Sequence, residues 1–216
     1  GKISKSLGNY KDPRENINAY GKDAVRYFVL REVPFGSDGN FSEEALVNRT
    51  NADLANVLGN LVNRTIAMNK KYFDNIVVKG SDRTEFDDEL INLVISTKDT
   101  VDKYMDELKV PEALDAIMEI FKRCNKYIDE TTPWILAKDE NSREKLKTVI
   151  YNLLESIRIG AILLSPFLPD TSEEIFRQLN TSINSIDTTT SFGHLVEGSK
   201  LNDPVPLFKR IEKTTE

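Results

Sequence analysis

The alternation of hydrophobic and polar positions predicts a chain built mostly of helices. Apolar residues recur at steps of three and four, the spacing of an amphipathic helix. The longest such stretch runs from Ser42 to Phe73. Ser42 can cap its start, and Glu43 and Glu44 suit the first turn. Its apolar stripe comprises Leu54, Leu58, Leu61, Thr65, Met68 and Tyr72. This stretch predicts one continuous helix of roughly 30 residues.

Further helices are predicted on both sides of the long one. Downstream, the apolar periods predict helices over residues 86–109, 111–132, 141–164 and 171–179, which we expect to form an antiparallel bundle. Asn141 and Glu144 predict a capping box for the third of these. Upstream, Pro13 to Gly21 and Asp23 to Arg31 predict two short helices.

The changes in periodicity divide the chain into three parts. Residues 1–41 form a first region, residues 42–180 form the helical bundle, and residues 181–216 form a C-terminal arm in which the helical period is lost. The expected fold class is therefore mainly α.

Composition restricts the function classes. With 39% hydrophobic and 30% charged residues the chain is typical of a globular protein, and no apolar run reaches the roughly 18 residues of a membrane span. The single cysteine, Cys124, excludes an intrachain disulfide and any multi-cysteine metal site, so we expect no metal site and a cytoplasmic location. A net charge of −6 argues against indiscriminate nucleic-acid binding but allows a local basic patch.

Polar residues beside the apolar stripe of the long helix are the first candidates for function. Asn56, Asn60, Asn63 and Arg64 lie there, although Asn is a mediocre helix former. Asn60 and Arg64 stand four residues apart, so both can reach one object. An amide and a guanidinium together suit the hydrogen-bonding edge of a nucleobase. The alternative is a solvated face or an interdomain contact.

A second group of candidates surrounds the break at Pro133. Trp134, the only tryptophan, either plugs the end of the bundle or offers a stacking surface to an unpaired base. Asn125 lies on the preceding helix beside three basic residues, which we expect to attract phosphates in a general way: Lys122, Arg123 and Lys126. His194, the only histidine, has no second candidate ligand nearby and is expected to be structural.

The first residues form a short cationic segment. Lys2, Ile3, Ser4, Lys5 and Ser6 are followed by Gly8, and lysines among hydroxyls and small residues suit a loop that holds a polyphosphate. Because no Met precedes Gly1, we expect the natural chain to continue upstream.

Several segments, in order, resemble methionyl-tRNA synthetase, a class I aminoacyl-tRNA synthetase. They are GKISKSLGN, then YGKDAVRYFVLREVPFGSDGNFSEEALVNRTNADLANVLGNLVNR, then PEALDAIMEIFKRCNKYIDETTPWILAK and PVPLFKRIE. The family's signature loop is Lys-Met-Ser-Lys-Ser, and here Ile3 replaces its Met. The resemblance covers nearly the whole chain and corresponds to the C-terminal half of the family.

The resemblance implies roles for individual residues. Trp134, Asn60 and Arg64 match family residues that contact the CAU anticodon of methionine tRNA, with Asn125 as a further candidate. Lys5, assisted by Lys2, would stabilise the ATP phosphates during formation of methionyl-adenylate.

The resemblance also implies an architecture and partners. Residues 1–41 resemble the stem-contact fold with its helices and short strands, and the arm would pack back towards a catalytic domain in cis. That Rossmann domain, its ATP with Mg²⁺, and any zinc insertion would lie before Gly1. The full-length parent would be a methionine-tRNA ligase, whereas this chain alone should be inactive.

Two alternatives stay open. The chain could be the anticodon-binding domain of another class I synthetase, for cysteine, leucine, isoleucine or valine. It could also be a helical protein-interaction module without RNA binding, in which case Trp134 and the face from Asn56 to Arg64 would be buried against a partner.

Overall fold

Helices make up most of the structure, a computed structural model that describes residues 13–32 and 42–212. The mainly α prediction is confirmed: within these ranges the backbone pairs as β-structure at a single bridge, between Ile76 and Lys200. The helices are α1 (Pro13–Tyr20), α2 (Lys22–Glu32), α3 (Glu43–Arg49), α4 (Asn60–Phe73), α5 (Asp87–Asp106), α6 (Val110–Thr131), α7 (Pro133–Leu136), α8 (Arg143–Leu164) and α9 (Pro169–Leu179). A π-helical segment, Thr50–Gly59, joins α3 to α4, and short 3₁₀ turns occupy Glu140–Ser142 and Ile186–Thr189.

Helix α8 forms the centre of the bundle. Every residue from Val149 to Leu164 is buried, and α4, α5, α6, α7 and α9 all pack against this helix. Gly160 permits a close approach of α6, because a Cβ at this position would lie 2.5 Å from the Phe121 ring. A helix buried on all sides needs apolar residues all round, which explains why its pattern extends beyond one stripe.

The long helix differs from the expected uniform α-helix. The backbone is continuous from Glu43 to Phe73, and Ser42 caps it as predicted, its Oγ accepting from the Ala45 N–H at 3.1 Å. Between α3 and α4, however, the chain is wound as a π-helix, so that the Asn60 N–H donates to the carbonyl of Ala55. Leu54, Leu58 and Leu61 of the predicted stripe are nevertheless fully buried, as the apolar period predicted.

The predicted capping box at Asn141 is wrong. Asp139 caps the 3₁₀ turn before α8, its carboxylate accepting from the Asn141 N–H at 3.0 Å. Glu144 accepts from the N–H and Oγ of Ser81 at 3.3 and 3.2 Å. The tertiary contact with the α4–α5 connection therefore replaces the local cap.

Beyond α9 the chain is held by polar contacts. A fully buried ion pair, Glu155 with Arg158, binds residues 183–194 to α8. The chain then pairs with the α4–α5 connection at Ile76 and continues as an extended arm to residue 212. In the described ranges no helix is long and apolar enough to cross a membrane.

Candidate nucleic-acid interface

The end of α6 brings the only tryptophan to the surface. Thr132 adopts a left-handed conformation (φ 45°, ψ 67°) and its N–H closes α6 on the Ile128 carbonyl at 2.9 Å. Pro133 then opens α7, where its fixed φ and missing N–H cost little. Trp134 follows immediately and is 39% exposed. The indole therefore does not plug the bundle; one part packs on the protein and the rest remains accessible.

Helix α4 places the predicted amide and guanidinium on the same surface. The Arg64 guanidinium carbon lies 5.5 Å from the centroid of the Trp134 ring, within the range of a cation–π contact. Asn60 is exposed one helical turn before Arg64. Within the described part of the chain, neither the Asn60 amide nor the Arg64 guanidinium has a hydrogen bond or an ion pair. The hydrogen-bonding groups of both side chains are therefore available to a ligand.

Asn125 contacts the backbone of the long helix. Its Nδ2 donates to the Val57 carbonyl oxygen at 3.2 Å, and the side chain is half-buried between α6 and the π-helical segment. This hydrogen bond uses one amide donor, whereas Oδ1 can still accept from a base. Its role in base contact stays a prediction.

The C-terminal arm adds a second arginine that sequence reasoning did not select. Arg210 is exposed, and its Nη1 donates to Asn56 Oδ1 at 3.1 Å. Asn56 lies one turn before Asn60 on the long helix. The only sequence signal for Arg210 was its place in the PVPLFKRIE segment, because residues about 150 positions apart along the chain come together only on folding.

Comparisons with known proteins show to which family this chain belongs. Residues 77–216 match the model described as the anticodon binding domain of methionyl tRNA ligase, and residues 1–66 match class I tRNA synthetases of the M type. The chain belongs to the methionyl-tRNA ligase family. It contains that family's anticodon-binding domain, as the sequence predicted.

Individual methionyl-tRNA ligases agree with the family match. The chain is 51% identical to the methionine–tRNA ligase of Caldanaerobacter subterraneus and 48% identical to that of Bacillus subtilis, in each case over 100% of this chain. It spans about a third of the length of these curated relatives, 34% and 33%. The crystal structure of Mycobacterium tuberculosis methionyl-tRNA synthetase bound by methionyl-adenylate superposes with a TM-score of 0.90 at 36% identity. This match covers 96% of this chain and 42% of that one.

One member of the basic cluster on α6 is not available to RNA in this domain. Arg123 is buried, and it pairs with Glu130 at 2.6 Å and with Glu89 of α5 at 3.5 Å. The prediction that it attracts phosphates is therefore wrong: it faces α5 and its charge is neutralised there. Lys122 and Lys126 are exposed, and Lys122 contacts Glu119 at 3.6 Å.

A partly buried polar network lies at the start of the long helix. The Tyr27 hydroxyl donates to Asp53 at 2.6 Å, Arg49 donates to the same carboxylate at 3.3 Å, and Arg31 pairs with Asp115 of α6 at 2.6 Å. Burial, followed by the nearby Asp53 carboxylate, raises the pKa of Tyr27 far above its usual range. The hydroxyl therefore stays protonated and links α2 to the π-helical segment.

The remaining predicted site residues are not placed by the structure. Lys2, Ile3, Ser4, Lys5 and Ser6 lie outside the described residues. Within the described ranges, no group of three or more His, Cys, Asp or Glu residues could hold a metal ion.

Proposed function

We propose that the face formed by α4 and α7 reads the CAU anticodon of methionine tRNA. The observation that carries this proposal is the exposed Arg64 guanidinium 5.5 Å from the exposed Trp134 ring, with Asn60 one turn away. The protein-interaction alternative also needs an exposed face, but it does not account for a stacking surface beside unsatisfied amide and guanidinium groups. Those groups are the ones with which proteins bind unpaired bases.

Each side chain has a distinct task in this proposal. The Trp134 indole stacks on one splayed base, for which its exposed part is sufficient. Arg64 donates to the edges of the stacked base and its neighbour, Asn60 donates to them or accepts from them, and the two side chains so distinguish among bases. Because the chain is acidic overall, with a net charge of −6, we expect stacking and base-edge contacts to provide much of the affinity.

We also propose the context of the full-length protein. It would attach methionine to tRNA in the cytoplasm with ATP and Mg²⁺, Lys5 and Lys2 contacting the ATP phosphates. Residues 1–41 would hold the signature loop and stem-contact region, residues 42–180 the anticodon-binding bundle, and residues 181–216 an arm returning to the catalytic domain. The Rossmann domain and any zinc site would lie in the preceding part, so this chain alone should not catalyse pyrophosphate exchange.

The decisive experiment is a titration of the whole chain with anticodon hairpins. A CAU hairpin should bind more tightly than hairpins with one anticodon base replaced, by about 1–3 kcal/mol for each base that is read. Hairpins carrying the cysteine, leucine, isoleucine and valine anticodons test the other class I synthetases. Equal affinity for all hairpins, or binding to none, would refute the proposal.

A further inference from the structure

The C-terminal arm runs beside the long helix, from its C-terminal end to the π-helical segment. Near the end of α4, Asp203 pairs with Lys70 at 3.0 Å; at the other end, Ile211 contacts Asn51 in the π-helical segment. Extended chain from Asp203 to Ile211 spans about 26 Å, and the helix from Lys70 back to Asn51 spans about 28 Å. The arm therefore runs antiparallel to the long helix in an extended conformation.

A polar contact also holds the arm between Asp203 and Ile211. Gln178 of α9, which is fully buried, donates from Nε2 to the Val205 carbonyl at 2.8 Å. Leu207 and Phe208 are only half-buried against the core. Next to them a cleft of about 740 Å³ separates the arm from the α1–α2 turn and the start of α9. Apolar packing alone therefore does not fix the last residues of the arm.

Asn51 pairs with the backbone of Ile211 as a neighbouring strand would. The Ile211 N–H donates to Asn51 Oδ1 at 2.7 Å, and Asn51 Nδ2 donates to the Ile211 carbonyl at 2.9 Å. The preceding arm residue, Arg210, contacts Asn56, five positions further along the same helix. The donor and the acceptor of the half-buried Asn51 amide therefore both hold Ile211, the residue that follows Arg210.

We propose that Asn51 is a positioning residue for RNA recognition, a role that rests on the proposed function. By clamping Ile211 it holds the arm on the long helix, so that Arg210 stays on the face that carries Asn60 and Arg64. No acidic partner neutralises Arg210 within the described residues, and its cation adds one phosphate contact to that face. Asn51 itself does not touch the RNA.

The clamp is tested first without RNA, by hydrogen exchange in the whole chain. Asn51→Ala should speed exchange of the amides of residues 207–212 by about tenfold, because the Ile211 N–H loses its acceptor. Ile211→Pro removes the same hydrogen bond from the arm side and leaves the helix intact, so it serves if Asn51→Ala does not fold. Asn92→Ala, at an exposed asparagine on α5, is the matched control and should leave the arm unchanged.

The link to RNA is tested with the CAU hairpin at several salt concentrations. Asn51→Ala and Arg210→Gln should each weaken binding by about fivefold and lower the salt slope by about one, the signature of one lost phosphate contact. The double variant should bind no more weakly than either single variant, because both remove the same contact. A purely structural asparagine would not show this shared salt slope.

The outcomes separate this proposal from the proposed function. Unchanged exchange in both Asn51→Ala and Ile211→Pro, or additive losses in the double variant, would overturn the positioning role and leave anticodon reading intact. If the unmodified chain binds no hairpin, the proposed function fails, and the RNA role of Asn51 fails with it.

Discussion

Two arginines on neighbouring helices of this molecule have opposite surroundings. Arg158 of α8 is fully buried; it pairs with Glu155 and donates to the Ile183 carbonyl at 3.0 Å and to Thr188 Oγ1 at 2.8 Å. Arg64 of α4 is exposed, and its guanidinium carbon lies 5.5 Å from the centroid of the Trp134 ring. The hydrogen-bonding groups of the first guanidinium are satisfied by the fold, whereas the second has no hydrogen bond or ion pair among the described residues.

Residue type and helical spacing alone do not separate a structural arginine from one that is free to bind. Both arginines follow a polar residue at helical spacing, Glu155 three positions before Arg158 and Asn60 four positions before Arg64. What differs is whether the protein itself satisfies the hydrogen-bonding groups. A buried charged group without a partner is costly, so the fold supplies one. An exposed charged group is solvated by water and can remain unpaired in the free protein.

Removing the acid of the buried pair should give the largest effect. Glu155→Ala leaves the Arg158 charge buried and unpaired, and it removes the acceptor for the Gly193 N–H at 2.6 Å. We expect a loss of about 3–5 kcal/mol in the free energy of unfolding, measured by urea denaturation. Arg83→Ala, which breaks the exposed pair with Asp88, is the control and should cost about 0–1 kcal/mol. A small loss for Glu155→Ala would contradict the structural role of this pair.

Removing the indole should weaken RNA binding and leave the fold intact. Trp134→Ala should reduce affinity for the CAU hairpin by about 1–3 kcal/mol, the scale of one lost stacking partner. Because the side chain is only 39% exposed and the rest packs on the protein, the urea midpoint should fall as well, so hairpin affinity is compared without urea, where both proteins are folded. Ile186→Ala, at an apolar residue that is 45% exposed, controls for loss of exposed surface. Unaltered hairpin affinity in Trp134→Ala would remove the indole from the interface.

Neutralising the exposed arginine should change specificity more than affinity. Arg64→Gln should reduce the preference for CAU over single-base variants by about 1 kcal/mol, because a guanidinium can donate two hydrogen bonds to a base edge. Lys71→Gln, on the same helix, removes an equal charge and should weaken all hairpins alike. Equal losses for CAU and unrelated hairpins in Arg64→Gln would mean that this side chain contacts phosphate only.

Much of the architecture could be predicted because it depends on local pattern. The predicted helix over residues 111–132 matches α6 at Val110–Thr131 to within a residue, since its apolar period and Pro111 are both local signals. The Ser42 cap was predicted for the same reason. The π-helical winding of Thr50–Gly59 could not be predicted from local pattern, because it depends on how this segment packs against α6 and the arm.

The candidate site was predictable in its residues but not in its geometry. Trp134 and Arg64 could be selected from sequence, yet only the fold brings the two side chains together across α4 and α7. Arg123 shows the opposite case: its charge suggested phosphate binding, but α5 supplies Glu89 to pair with it. Arg210 was missed because its neighbour Asn56 is distant along the chain.

The helices, their apolar faces and the family could all be predicted from the sequence, because periodicity, caps and motif order depend on residues that are close along the chain. The tertiary structure alone decided which polar groups are satisfied and which remain free. That distinction depends on partners from distant segments, such as Ile211 for Asn51 and Thr188 for Arg158, and no local pattern encodes it.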